Sequence, residues 1–130
     1  MLAAADAMIG GARAAMKTQQ LHQILALVWS VVADANRYFA GEAPWALAKT
    51  DLRRMGTVLY VTAETIRQVA ILAQPFIPES AGRLLDILAV PASERTFRHL
   101  GGAHRLAGGV TLPAPSPVFP RYIEPAATPA

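Results

Sequence analysis

The chain has 130 residues, the size of one domain and enough to bury roughly two-thirds of the surface its unfolded form exposes, so a second full domain does not fit. Hydrophobic residues make up 53% and charged residues 16%, with alanine supplying much of the apolar excess, and the absence of cysteine excludes disulfides, thiol catalysis and Cys-based zinc sites. Twelve Lys and Arg, ten of them arginine, stand against nine Asp and Glu for a net charge of +3, which permits a polyanionic partner without demanding one.

The segment from Leu2 to about Lys17 places Met8, Ile9, Ala12 and Met16 at helical spacing, with Gly10 and Gly11 each weakening it by about 1 kcal/mol relative to alanine. It carries Asp6 and has no basic run ahead of a continuous hydrophobic stretch, so it reads as a helix and not as a signal peptide. A second helix is predicted from the recurrence of Leu21, Ile24, Leu25, Val28, Val32, Ala35 and Phe39. Its apolar run from Ile24 to Ala33 is interrupted by Ser30 and falls far short of the roughly 20 residues of a membrane crossing. A cytoplasmic protein with neither membrane nor DNA as partner is the expectation.

Gly41 and Pro44 predict a turn over residues 40 to 44, after which Pro44 can open a one-turn helix, Trp45 to Ala48. Thr50 or Asp51 can cap a long helix through Leu52, Met55, Leu59, Thr62, Ile66, Val69 and Ala73, ended by Pro75. Pro78 or Glu79 opens another, with Ala81, Leu84, Leu85 and Leu88 as its stripe, and Ser93 to Leu100 reads as a last short helix capped by Ser93. From Gly101 onward the chain holds six of its ten prolines and four of its nine glycines, so irregular structure is expected. The predicted fold is all-α: an antiparallel helical bundle of about five helices over residues 1–100, followed by an irregular Pro/Gly-rich C-terminal tail over residues 101–130.

Nothing in the pattern is catalytic. Asp34, Glu64 and Asp86 stand singly and read as solvated surface carboxylates, and His22, His99 and His104 are scattered without metal-binding spacing. GGAHRLAGG neither follows a clear strand nor opens a helix, which a phosphate-cradling loop requires.

The informative stretch is ADANRYFAGEAPWALAKT, residues 33 to 50, which gathers Asn36, Arg37, Tyr38, Pro44 and Trp45 at one helix-to-helix corner. An unpaired base needs such a set, an aromatic face to stack on and polar groups for its edges. The residues also fit a plain core corner, with Trp45 plugging the bundle, Asn36 capping and Arg37 solvated. The pattern alone leaves both readings open.

ANRYFAGEAPWALAKT resembles the "NRY, then five or six residues, then PW" signature of the helical-bundle anticodon-binding domain of class Ia methionyl-tRNA synthetases. PFIPESAGRLLDIL is similar to that family's proline-flanked helix, and PSPVFPRYIE to its closing peptide, in the same order. The resemblance implies that Trp45, with Pro44 shaping the turn, stacks on the first base of the CAU anticodon of methionine tRNA, and that Asn36, Arg37 and Tyr38 belong to the same anticodon-binding corner. It also implies an Asn and Arg pair of base readers on a preceding helix; Asn36 is the only asparagine here and Ala40 follows it by one turn, so that motif is missing.

The family's HIGH and KMSKS motifs, which handle ATP and the adenylate, are missing too. The resemblance therefore implies a C-terminal domain whose parent ligase attaches methionine to tRNA using ATP and magnesium. The chain alone is expected to hold no cofactor and no metal, to catalyse nothing, and to have methionine tRNA and the parent's catalytic domain as partners. A structural or protein-interaction bundle, or the anticodon domain of another class Ia synthetase, are the competing readings.

Overall fold

The computed structural model describes residues 1–124; the remaining part of the expected tail, 125–130, lies outside the described residues. Five α-helices follow in order: α1 (Leu2–Lys17), α2 (Leu21–Glu42), α3 (Pro44–Leu47), α4 (Leu52–Ala73) and α5 (Pro78–Ile87). Three single 3-10 turns come next, at Ala92–Glu94, Phe97–His99 and Gly102–His104, and among the described residues there is no strand. The expected all-α bundle is thus present. The short helix expected over Ser93–Leu100 is instead two separate turns, because the first is preceded by Pro91 and no side chain caps it.

The central element is α4. On one side α1 and α2 supply Ala5, Met8, Ala12, Ala15, Ile24, Val28 and Val31 to a core that Leu72 joins; on the other, Ala70 and Ile71 meet Ala81, Leu85, Leu88 and Val90. Alanines on α1 allow a close approach: a Cβ added at Gly11 would stand 2.8 Å from a Leu27 methyl, whereas one at Gly10 would meet nothing. That narrow seam explains a departure from the predicted α2 stripe. Val31 is buried, while Leu21 and Leu25 are left exposed on the outer edge.

The α4 stripe is rotated as well. Leu52 and Leu59 are exposed, and the buried residues are Val58 and then Glu64, Thr65, Arg67, Gln68 and Ala70 to Ala73. Glu64, expected on the surface, is 0% exposed. Its Oε2 accepts from Arg67 Nε at 2.9 Å and from the Leu106 amide at 3.0 Å, and its Oε1 accepts from Arg67 Nη2 at 2.7 Å and Gln68 Nε2 at 3.0 Å. Arg67 also donates to the His99 carbonyl at 2.7 Å, Gln68 to Asp6 at 2.8 Å, and the Gly101 amide to Gln68 at 3.3 Å.

A buried carboxylate is tolerable only when paired and fully hydrogen-bonded, and this one is both. The knot ties α1, α4 and residues 99–106 together, with Arg105 on Asp6 and the Tyr60 hydroxyl on the Leu106 carbonyl closing its rim. The first residues of the irregular tail are therefore docked on the bundle.

Candidate nucleic-acid interface

The N-terminal half of α4 extends past the core and, with α3 and the end of α2, forms the corner anticipated from the sequence. α2 runs to Glu42, two residues beyond the predicted turn start, because Ala43 alone makes the reversal in the left-handed conformation, with φ 44° and ψ 64°. Such a conformation costs a non-glycine residue on the order of 1 kcal/mol. Pro44 then occupies the first position of α3 and is buried, where its missing N–H is no loss. Of the two caps considered for α4, Asp51 is the one used: it accepts from the Arg54 amide at 2.9 Å.

Trp45, next to the buried Pro44, is 61% exposed. Its indole meets Phe39 edge-on, with ring centroids 5.9 Å apart and planes at 61°. The contact steadies the indole while most of the residue is left to solvent. The core-plug reading of Trp45 does not survive this exposure.

Asn36, Arg37 and Tyr38 share the corner without sharing a face, since successive helical residues turn by about 100°. Asn36 lines a groove of about 460 Å³ between α2 and α4, together with Trp29, Val32, Phe39, Ile66 and Val69. Arg37 points outward and pairs with Asp34. Tyr38 is half-buried on the side toward Arg54. The structure brings Asn36, Phe39 and Trp45 into one continuous surface and sets Arg37 apart from it.

Two features of this region were missed in the sequence. Trp29 is 61% exposed at the far end of the groove, and Phe119 of the tail reaches into it. The spacing of Trp29, Val32, Asn36 and Phe39 by three, four and three residues could have revealed that common face. The second is a two-pronged ion pair in which Arg54 donates to Glu42 through Nη2 at 2.6 Å and Nε at 3.1 Å. Hydrogen bonding to Glu42, and then the charge of Glu42, hold the Arg54 guanidinium above its ordinary pKa, with smaller help from Tyr38 and Asp51.

Charge at the corner is partly neutralised. Arg37, Arg54, Arg67, Arg83, Arg95 and Arg105 each have a carboxylate partner. Among the described residues Lys49 and Arg53 have none, and Lys49 follows Trp45 by one turn of a run kept helical by the Ala48 amide donating to the Pro44 carbonyl at 3.0 Å.

His99 and His104 come within 5.1 Å, ring centroid to ring centroid, but among the described residues no group of three His, Asp or Glu could hold a metal. Among the described residues no helix is long and apolar enough to cross a membrane.

The described residues form a strand-free bundle with an exposed aromatic ring, an amide and cations on one corner, the set of groups that recognition of unpaired bases requires. The family model for the anticodon binding domain of methionyl tRNA ligase matches residues 2–126. The methionine-tRNA ligase of Rhizobium meliloti (strain 1021) is 62% identical over 127 residues, which are 98% of this chain and 25% of that protein. That of Brucella suis biovar 1 is 63% identical over 120 residues, 92% of this chain and 23% of the relative. The free-state crystal structure of Mycobacterium tuberculosis methionyl-tRNA synthetase superposes with a TM-score of 0.89 at 41% identity, covering 95% of this chain and 25% of that one. The chain belongs to the family of anticodon-binding domains of methionyl-tRNA ligases. It spans about a quarter of the length of the curated relatives it matches.

Proposed function

We propose that this domain takes up the CAU anticodon loop of methionine tRNA on the Trp45 corner. Trp45 stacks on the first anticodon base, which is worth on the order of 1–3 kcal/mol. Pro44 fixes the turn that holds the indole out, and the Asn36 amide, at the lip of the groove, faces a base edge. Arg37 and Tyr38 flank the loop, while the unpartnered Lys49 and Arg53 take phosphates. The observation that carries this reading is the exposure of the Trp45 ring beside a buried Pro44, in a chain of this family. An interaction bundle with Trp45 in its core would have the indole covered.

The parent protein, on this reading, is a cytoplasmic ligase that attaches methionine to its tRNA using ATP and magnesium at a catalytic domain, which is this domain's partner in the same enzyme. Residues 1–100 act as the folded recognition unit and residues 101–130 as its extension.

Titration of matched and mismatched stem-loops at two salt concentrations tests the assignment. Binding is expected to be weak, to discriminate little between bases because stacking tolerates any of them, and to fall as salt rises. Trp45→Ala is expected to lose most of the affinity. Equal binding by that variant, or tight cytosine-specific and salt-insensitive binding by the unmodified chain, would overturn it.

A further inference from the structure

The Glu42–Arg54 pair joins the last residue of α2 to the first turn of α4 across a sequence separation of 12, and the stretch between its members contains Ala43, Pro44 and Trp45. We propose that this pair is a positioning clamp that holds the Trp45 indole in its base-stacking attitude; the inference rests on the proposed role of Trp45.

Several features support a clamp over an ordinary surface ion pair. The contact is two-pronged, so it fixes the orientation of Arg54 as well as its distance from Glu42. Arg54 is held a second time, by its backbone amide on Asp51. On the α2 side the only residue between the clamp and Pro44 is Ala43, which is in a left-handed conformation that only its surroundings can maintain. Without the pair, the start of α3 is held from the α2 side by the Ala43 amide on the Phe39 carbonyl at 3.1 Å, the buried Pro44 and the contact of Trp45 with Phe39, with the left-handed Ala43 between them.

The rival role for Arg54, a phosphate ligand, predicts the opposite sign at Glu42. If Arg54 grips RNA, Glu42 competes with phosphate, and Glu42→Gln tightens binding. If the pair is a clamp, Glu42→Gln and Arg54→Gln weaken binding alike, by about three- to tenfold, and the double variant is no worse than either single one.

The measurement uses a Trp29→Phe background, so that emission reports Trp45, and a fluorescein-labelled CAU stem-loop. In both single variants the clamp predicts lower Trp45 emission anisotropy at unchanged helical content, a change that loss of a phosphate contact would not cause. The exchanged pair, Glu42→Arg with Arg54→Glu, is expected to recover most of the affinity and anisotropy, and it decides the matter should a single variant fold poorly. Tighter binding by Glu42→Gln, with a salt slope lowered by about one in Arg54→Gln, overturns the clamp in favour of a phosphate contact. Unchanged affinity in both single variants while Trp45→Ala has lost it also overturns the clamp and leaves the stacking role intact. Retained affinity in Trp45→Ala removes the stacking role itself.

Discussion

Replacing Glu64 by alanine is expected to be the most damaging single change on the polar side of this fold. Glu64 is 0% exposed and accepts four hydrogen bonds, two from Arg67 and one each from Gln68 and the Leu106 amide. The substitution removes the carboxylate paired with an Arg67 that is itself 2% exposed, leaving a buried cation whose remaining hydrogen-bond partner among the described residues is the His99 carbonyl. Breaking one side of a buried pair costs about 3–5 kcal/mol. At about 2 cal/mol/K of unfolding entropy per residue, that corresponds to a fall in Tm of roughly 10–20 °C. Thermal melting followed by far-UV circular dichroism reads it directly. The variant Glu64→Met with Arg67→Leu is expected to recover part of the loss, since no charge is then stranded, but not all of it, because the Leu106 amide and His99 carbonyl lose their partners. A drop below about 1 kcal/mol for Glu64→Ala would refute the reasoning, for it would mean that water or rearrangement readily replaces the carboxylate.

Trp45→Ala is expected to lower stability by no more than about 1 kcal/mol, against the 3–5 kcal/mol of a core tryptophan, while abolishing most stem-loop binding; coincident losses of both would point to misfolding. Trp29→Ala is likewise expected to cost about 1 kcal/mol, because the ring is 61% exposed and not part of the core, and a collapse on melting would contradict that placement. Gly10→Ala is expected to stabilise by about 1 kcal/mol from helix propensity, as the new methyl meets nothing. Gly11→Ala is expected to gain less or to destabilise, because its methyl would stand 2.8 Å from Leu27; equal gains in the two variants, compared by urea unfolding, would show that the α1–α2 seam is looser than it looks.

The helices were legible in the sequence because their ends are written in local chemistry: Pro44 and Pro78 at first positions and Asp51 as a cap act within one turn. The corner was legible for the same reason, and the exposed Trp45 could be anticipated from the resemblance and from nothing else in the pattern. What stayed hidden depends on partners far along the chain. Glu64 looks like any solitary surface acid until residues 99–106 fold back over it, and Leu21 and Leu25 look like core until the narrow alanine seam turns α2 onto Ile24, Val28 and Val31. The Glu42–Arg54 pair spans twelve residues, and no periodic pattern announces a contact at that separation.

The two halves of α4 divide the labour in a way that bears on recognition. Its C-terminal half is buried on both sides and knotted to α1 and to residues 99–106, so it is the fixed body of the domain. Its N-terminal half carries exposed Arg53 and Arg54 and abuts α3, so a displacement of the α3 backbone relative to the core is resisted by α4 and by the Ala43 reversal. On the proposed reading, a stacking platform whose backbone is held this way loses little backbone freedom on binding, so less of the stacking energy goes into ordering it. Base discrimination has a different origin, because it needs directed hydrogen bonds at the base edge, and Asn36 is the one amide side chain among the described residues lining the groove. On the proposed reading, affinity comes from stacking at Trp45 and the limited discrimination expected of this domain from Asn36, so substitutions at the two positions are expected to act on different quantities.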